Sequence, residues 1–415
     1  MASPPNLFTV AQSAFTDTAH IDFRSNWEVD GSGRLSCTGG NAGQAARLSL
    51  AGALTPGRAH FILADHQPTA GSLRMRFASP GITISRQLSA LYMDCEFVPA
   101  GDVEYAATRL DLQPTTDYAG TVDNVRAYDL STVDPNLVAC DVIIVGGDSN
   151  SANATSERFG DEIDMSARET PFDPRIWYMP CLRLSGTFPT TDSVRHTPQP
   201  CIEPVATVEA RRMSPVHAVA GELVGWSAAR GRPLLVMALG DPGSGLMGTE
   251  DWRSSSTVEP EGARMWNELL AMKAAVEALG PNHEIVGAVW SMGANDRFSA
   301  PSVDAYDNAH LAPYQTFFAE VRALIGDVPQ VLWNIGDHVV RHSQSIETPG
   351  LGEYMQDWLA RFDKDSGHPN AIPYVTVVHP QDGNQYTTDD DPHYNAHGMQ
   401  QNGRDAGQAL LSLLA

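Results

Sequence analysis

Asp141-Val142-Ile143-Ile144-Val145-Gly146-Gly147-Asp148-Ser149-Asn150 is the stretch whose reading decides the fold. Its apolar run has no polar alternation, so it reads as a strand buried on both faces, the kind found in parallel sheets covered by helices. The run then breaks into two glycines and a polar loop. A serine there stands at the carboxyl end of a buried strand, where glycines let a ligand approach the backbone.

Four further runs share this grammar: PLLVMALG at 233–240, IVGAVWSMG at 285–293, PQVLWNIG at 329–336 and IPYVTVVHP at 372–380. Between them lie helical stretches. Met265, Leu269, Met272, Val276 and Leu279 form one apolar stripe at helical spacing, and Gly280 supplies the stop. Residues 214–229, 313–325, 352–362 and 398–414 read as further helices. Five strands with helical crossovers predict a three-layer α/β/α sandwich with a parallel sheet over 137–415.

The preceding residues read differently. RAHFILAD, GSLRMRFAS, LYMDCEFVPAG, EYAATRLDLQ and GTVDNVRAYDL are short β-like runs separated by Gly, Pro and Asp punctuation. They predict an all-β sandwich over 1–136. The closing phrase Asp123-Asn124-Val125 resembles the last strand of carbohydrate-binding-module-like jelly rolls. That likeness implies a carbohydrate-binding or attachment domain, with a spacer or oligomerisation module as the alternative.

Composition narrows the function. The chain has 415 residues, 42% of them hydrophobic, an ordinary globular balance. Lys and Arg number 27 against 50 Asp and Glu, a net charge of -23 that repels phosphate backbones and anionic lipid surfaces. Nucleic acid is therefore excluded as an expected partner. No apolar run is long enough to span a membrane, and the opening MASPPNLFTV lacks the pattern of a secretory signal. The expectation is a soluble protein, cytoplasmic, or virion-associated or extracellular by another route. The five cysteines (Cys37, Cys95, Cys140, Cys181, Cys201) have no zinc-like spacing, and reduced thiols are expected, with a Cys181–Cys201 bridge as the alternative.

The strand ends carry the chemistry. The first presents Ser149 as a nucleophile. The second opens into Gly240-Asp241-Pro242-Gly243-Ser244-Gly245, a loop able to offer N–H groups to an anion. The third runs into Gly293-Ala294-Asn295-Asp296, where the Asn295 amide can donate to an oxyanion or else cap a helix. After the fifth come Asp389-Asp390-Asp391-Pro392-His393, in which Asp390 can set its carboxylate against one nitrogen of His393 while the other faces the serine. His393 and His397, at i and i+4 beside three aspartates, leave metal binding as the alternative. A single reaction uses nucleophile, donors, base and orienting acid together.

These blocks (GDSN at 147–150, the glycine loop around Gly243, GAND at 293–296 and DDPH at 390–393) resemble the SGNH (GDSL-type) hydrolase superfamily. DPRIW at 173–177, GSGL followed by Trp252, Trp290, and HYNAHGMQQNGR at 393–404 are similar to its sialate O-acetylesterase and carbohydrate acetyl-esterase branch. That branch commonly has Gln where Asp148 stands, Gln where Met292 stands and Glu where Ala294 stands. The resemblance implies a serine esterase acting on an acetylated glycan without a cofactor. It implies Ser149 as nucleophile, His393 as base, Asp390 as orienting acid, and an oxyanion hole from the Ser149 N–H, the Gly243 N–H and Asn295, with Gly245 the alternative to Gly243. The other readings are a glycan-binding tail or spike component of a phage-like particle, attached or oligomerised through the first domain, and a lipase- or thioesterase-like hydrolase. Trp177, Tyr178, Trp252 and Trp290 are sugar platforms, acyl-chain walls or core. The stretch 151–211, rich in Pro, Thr and acidic residues, is read as a cover for the site mouth or a surface excursion.

Overall fold

A computed structural model describes residues 1–4, 6–23, 26–40, 44–71, 73–77, 85–88, 93–98, 107–114, 118–151, 172–181, 195–201, 214–256, 258, 262–299, 302–344, 351–381 and 393–415. These divide into two compact units, one over Ala2–Leu137 and one beginning at Val138.

The first unit holds one short helix, α1 (Val10–Ser13), and ten strands among its described residues. They are β1 (Ile21–Asp22), β2 (Trp27–Val29), β3 (Leu35–Gly40), β4 (Ala46–Leu54), β5 (His60–Ala70), β6 (Leu73–Phe77), β7 (Ser85–Leu88), β8 (Met93–Val98), β9 (Ala107–Pro114) and β10 (Tyr118–Asp129). Two antiparallel sheets form, in the orders β1-β4-β9-β6-β7 and β2-β3-β10-β5-β8. Without β1 and β2 the orders are 4-9-6-7 and 3-10-5-8, the arrangement of an eight-stranded jelly roll. Alternation builds the core: Tyr118, Val122, Val125 and Ala127 of β10 are buried with Leu35 of β3, Ile62 of β5, Leu48 of β4 and Leu110 and Leu112 of β9. A bulge between Asp123 and Arg126 shifts the register of β10 on β5. It falls on the Asp123-Asn124-Val125 phrase, where Asn124 adopts a φ of 46°.

The second unit is a seven-stranded sheet among its described residues, in the order β13-β12-β14-β11-β15-β16-β17. Its strands are β11 (Asp141–Gly147), β12 (Ile176–Pro180), β13 (Gln199–Pro200), β14 (Leu234–Gly240), β15 (Glu284–Ser291), β16 (Gln330–Trp333) and β17 (Val375–Val378). All five expected strands are present. The sequence reading missed β12, which pairs parallel with β14, and β13, which pairs antiparallel with β12. Part of the stretch 151–211 is thus sheet rather than excursion; its residues 152–171, 182–194 and 202–211 lie outside the described residues.

The helices are α2 (Val216–Ala229), α3 (Arg264–Leu279), α4 (Val303–Ala305), α5 (Leu311–Ile325), α6 (Asp337–Gln344), α7 (Leu351–Ala360) and α8 (Ala396–Leu414). One face of the sheet packs Ile143, Val145, Val236, Val289 and Val331 against Val216, Val219 and Leu223 of α2 and Ala406 and Leu410 of α8. On the opposite face Trp290 meets Phe317 of α5 edge-on at 5.1 Å. Two helical layers on one central sheet make the α/β/α sandwich.

Cys37, Cys140, Cys181 and Cys201 are buried, no disulfide joins Cys181 to Cys201, and burial pushes the Cys181 thiol up. The Cys95 side chain lies outside the described residues. Among the described residues no helix is long and apolar enough to cross a membrane.

Candidate active site

The central strands end level. Gly147 of β11 stands opposite Gly240 of β14 on one side and Ser291 of β15 on the other. The chain enters the sheet at β11, goes to β12 and β14 on one flank, then to β15, β16 and β17 on the other. The carboxyl end of β11 is therefore the switch point at which open α/β sheets hold their ligands. Ser149 stands two residues beyond it.

Short bonds tie the three loops. The Asp148 N–H donates to the Ser291 carbonyl at 2.8 Å. The Ser244 hydroxyl donates toward the Gly147 carbonyl at 3.1 Å and is held by the Trp252 indole N–H at 3.1 Å. The approach of β11 to β15 requires Gly147, because its φ is 135° and a Cβ would lie 1.8 Å from the Ser291 carbonyl oxygen. Arg264, at the start of α3, pairs with Asp241 and with Asp251 at 3.0 Å, fixing the loop after β14 from behind.

Each expected residue can now be placed. Ser149 is 9% exposed at the end of β11. Gly243 has a φ of 83° with open space where a Cβ would stand. Gly245 differs: its Cβ position falls 2.3 Å from Asp296 Oδ1, and its carbonyl accepts the Trp252 N–H at 3.3 Å. Asn295 donates from Nδ2 to the Ser244 carbonyl at 3.2 Å rather than capping a helix through its side chain. A primary amide carries two hydrogens, so one remains for a ligand. His393 is half-buried and lies near enough to Asp148 to be among the groups that bear on that carboxyl. Among the described residues no hydrogen bond joins Ser149 to His393. Asp390, with Asp389, Asp391 and Pro392, lies outside the described residues.

The segment carrying His393 is anchored on both sides. Tyr394 is buried, stacks on Trp333 at 5.6 Å and meets His338 edge-on at 4.3 Å. Asn395 caps α8, accepting the Gly398 N–H at 2.8 Å. His397 is exposed, and among the described residues no cluster of three or more His, Cys, Asp or Glu side chains is arranged to hold a metal ion.

The tryptophans are not sugar platforms. Trp177, Trp252 and Trp290 are fully buried, and Tyr178 is 8% exposed. Trp252 packs edge-on against Trp290 at 5.7 Å, forming the floor beneath the loops.

Two buried carboxyls beside the site escaped the sequence reading as functional groups. Asp148 accepts the Asn150 N–H at 3.1 Å and the Ser291 hydroxyl at 3.3 Å, while its buried Oδ2 has no hydrogen-bond partner among the described residues. Burial raises its pKa to about 6, against the pull of these donors and of His393. Asp296 accepts the Met247 N–H at 2.9 Å and the Tyr314 hydroxyl at 2.6 Å. Burial, with Asp148 nearby, lifts it also to about 6. Asp296 sits in the GAND block, which could have signalled it; Tyr314, on α5, carries no sequence mark.

No protein-family model and no curated protein matches the chain. Among solved structures it is similar to a protein from Arabidopsis thaliana, with 14% identity over 67% of this chain and 100% of that one at a TM-score of 0.47. It is similar also to a family two carbohydrate esterase from Cellvibrio japonicus, with 11% identity over 95% of each chain and a TM-score of 0.37. A carbohydrate acetylesterase from Xanthomonas citri shares 14% identity over 88% of this chain and 70% of that one, with a TM-score of 0.37.

Proposed function

We propose that the protein is a serine esterase that removes O-acetyl groups from a carbohydrate. The observation that carries this reading is the set of loops at the switch point: Ser149, the Gly243 loop and Asn295 leave the level ends of three adjacent strands, and His393 stands two residues before the capping residue of α8.

The chemistry follows from the residues. His393 takes the Ser149 hydroxyl proton as the oxygen attacks the ester carbonyl. The carbonyl oxygen becomes an anion, held by the Ser149 N–H, the Gly243 N–H and the second Asn295 hydrogen. Collapse of the tetrahedral species breaks the bond to the sugar oxygen, which takes its proton from the His393 imidazolium. Water, deprotonated by His393, then releases acetate and restores Ser149. Asp390 orients the imidazole in this reading. Gly243 suits the donor role better than Gly245, whose surroundings are filled by the Asp296 carboxyl.

The acetylated-glycan substrate rests on the resemblance of the blocks, and the jelly roll serves as its carbohydrate-binding or attachment module. Hydrolysis of p-nitrophenyl acetate by the wild type and by Ser149→Ala tests the mechanism, and equal rates refute it. Acetate release from a panel of acetylated polysaccharides tests the substrate. A preference for long-chain esters would point instead to a lipase-like pocket.

A further inference from the structure

We propose that Asp296 is the positioning residue of the oxyanion hole, its carboxylate holding the loop after β14 against the end of β15 so that the Gly243 and Asn295 donors face one point. This rests on the serine-esterase reading and adds a residue that touches neither the nucleophile nor the ester.

The grip has several parts. Asp296 Oδ1 accepts the Met247 N–H at 2.9 Å, and Oδ2 accepts the Tyr314 hydroxyl at 2.6 Å, which fixes the plane of the carboxylate. Gly245 lies so close to the same Oδ1 that a Cβ would stand 2.3 Å away, so backbone is seated directly on the carboxylate. The neighbouring Asn295 takes hold of the same loop, donating to the Ser244 carbonyl at 3.2 Å. Two consecutive residues after β15 thus grip Ser244, Gly245 and Met247.

Asp296 and Tyr314 are both fully buried. With a pKa of about 6 the carboxyl is ionised at neutral pH. A backbone N–H bound to a carboxylate makes a charge-assisted bond, roughly twice as strong as a neutral one. That strength is applied at Met247, four residues along the chain from Gly243. The loop is held at its start by Arg264 on Asp241 and at Ser244 and Gly245 by Trp252, and Asp296 adds the hold at Met247.

The donors act on the transition state more than on the bound ester, so loosening them lowers kcat and spares KM. For Asp296→Asn the expected fall in kcat on p-nitrophenyl acetate is about 10- to 100-fold, with KM within about twofold, on the scale of one misplaced oxyanion donor. Gly245→Ala drives a methyl into the carboxylate and lowers kcat similarly. In an Asp296→Ala background the obstructing oxygen is gone, so adding Gly245→Ala does little more, a non-additivity expected of residues in contact.

All variants are assayed in the full chain beside Ser149→Ala. Serine-dependent turnover with Asp296→Asn keeping kcat within twofold of wild type, or a loss confined to KM, overturns the proposal. Should Asp296→Asn fail to fold, Gly245→Ala decides alone, and an unchanged kcat overturns it equally. Equal rates for wild type and Ser149→Ala refute the esterase reading itself, and this proposal falls with it.

Discussion

Replacing Asp148 by Asn should make the α/β unit's stability less dependent on pH, by an amount that follows from the burial of this carboxyl. Its pKa stands at about 6 in the folded chain against an ordinary 3.8. That difference corresponds to about 3 kcal/mol of preference for the protonated form in the folded state. The folded value is the raised one, so this contribution is complete below pH 3.8 and is lost as pH climbs through about 6. Above that, the ionised group is buried with one oxygen lacking a hydrogen-bond partner among the described residues. Asn keeps an acceptor for the Asn150 N–H and the Ser291 hydroxyl and never ionises. The stability of Asp148→Asn relative to wild type should therefore rise by somewhat over ~2 kcal/mol between pH 4 and pH 7, whatever constant offset the amide introduces. Urea unfolding followed by tryptophan fluorescence reads this unit, because of the chain's 8 tryptophans only Trp27 lies in the jelly roll. Curves for the two proteins that stay parallel across that range, within about 0.5 kcal/mol, would refute the reasoning.

Gly147→Ala should cost roughly 3 kcal/mol or more in urea unfolding, since both its φ and the Ser291 carbonyl oppose a methyl, and should lower kcat about a hundredfold through displacement of Ser149. Wild-type turnover in this variant would show that the β11–β15 approach does not set the serine. Asn295→Ala should lower kcat on p-nitrophenyl acetate about 10²- to 10³-fold with little change in KM. A defect in KM alone would make Asn295 a binding residue.

The parallel sheet was legible because strands buried on both faces must be apolar without alternation, and Val142 to Val145 or Leu234 to Leu239 allow no other reading. Ile176-Trp177-Tyr178-Met179-Pro180 was not, because its length is minimal and a proline closes it. Among the jelly-roll strands, Leu35–Gly40 and Ala46–Leu54 carry small or hydroxylated residues that read as loop. The strand ends at which Ser149, Gly243 and Asn295 stand were legible too, since position relative to the sheet is readable from pattern. The roles of Asp296 and Tyr314 depend on meeting across 18 residues of chain, which no periodicity marks.

The two-residue β13 has a consequence of its own. β12 would otherwise present a parallel sheet's outermost hydrogen-bonding groups to any extended chain that came by, an invitation to edge-to-edge aggregation. The antiparallel strip Gln199–Pro200 occupies part of that edge, and a proline, having no N–H, cannot pass the ladder on to a further strand. Among the described residues the sheet thus ends at β13, on the flank of the second block's strand.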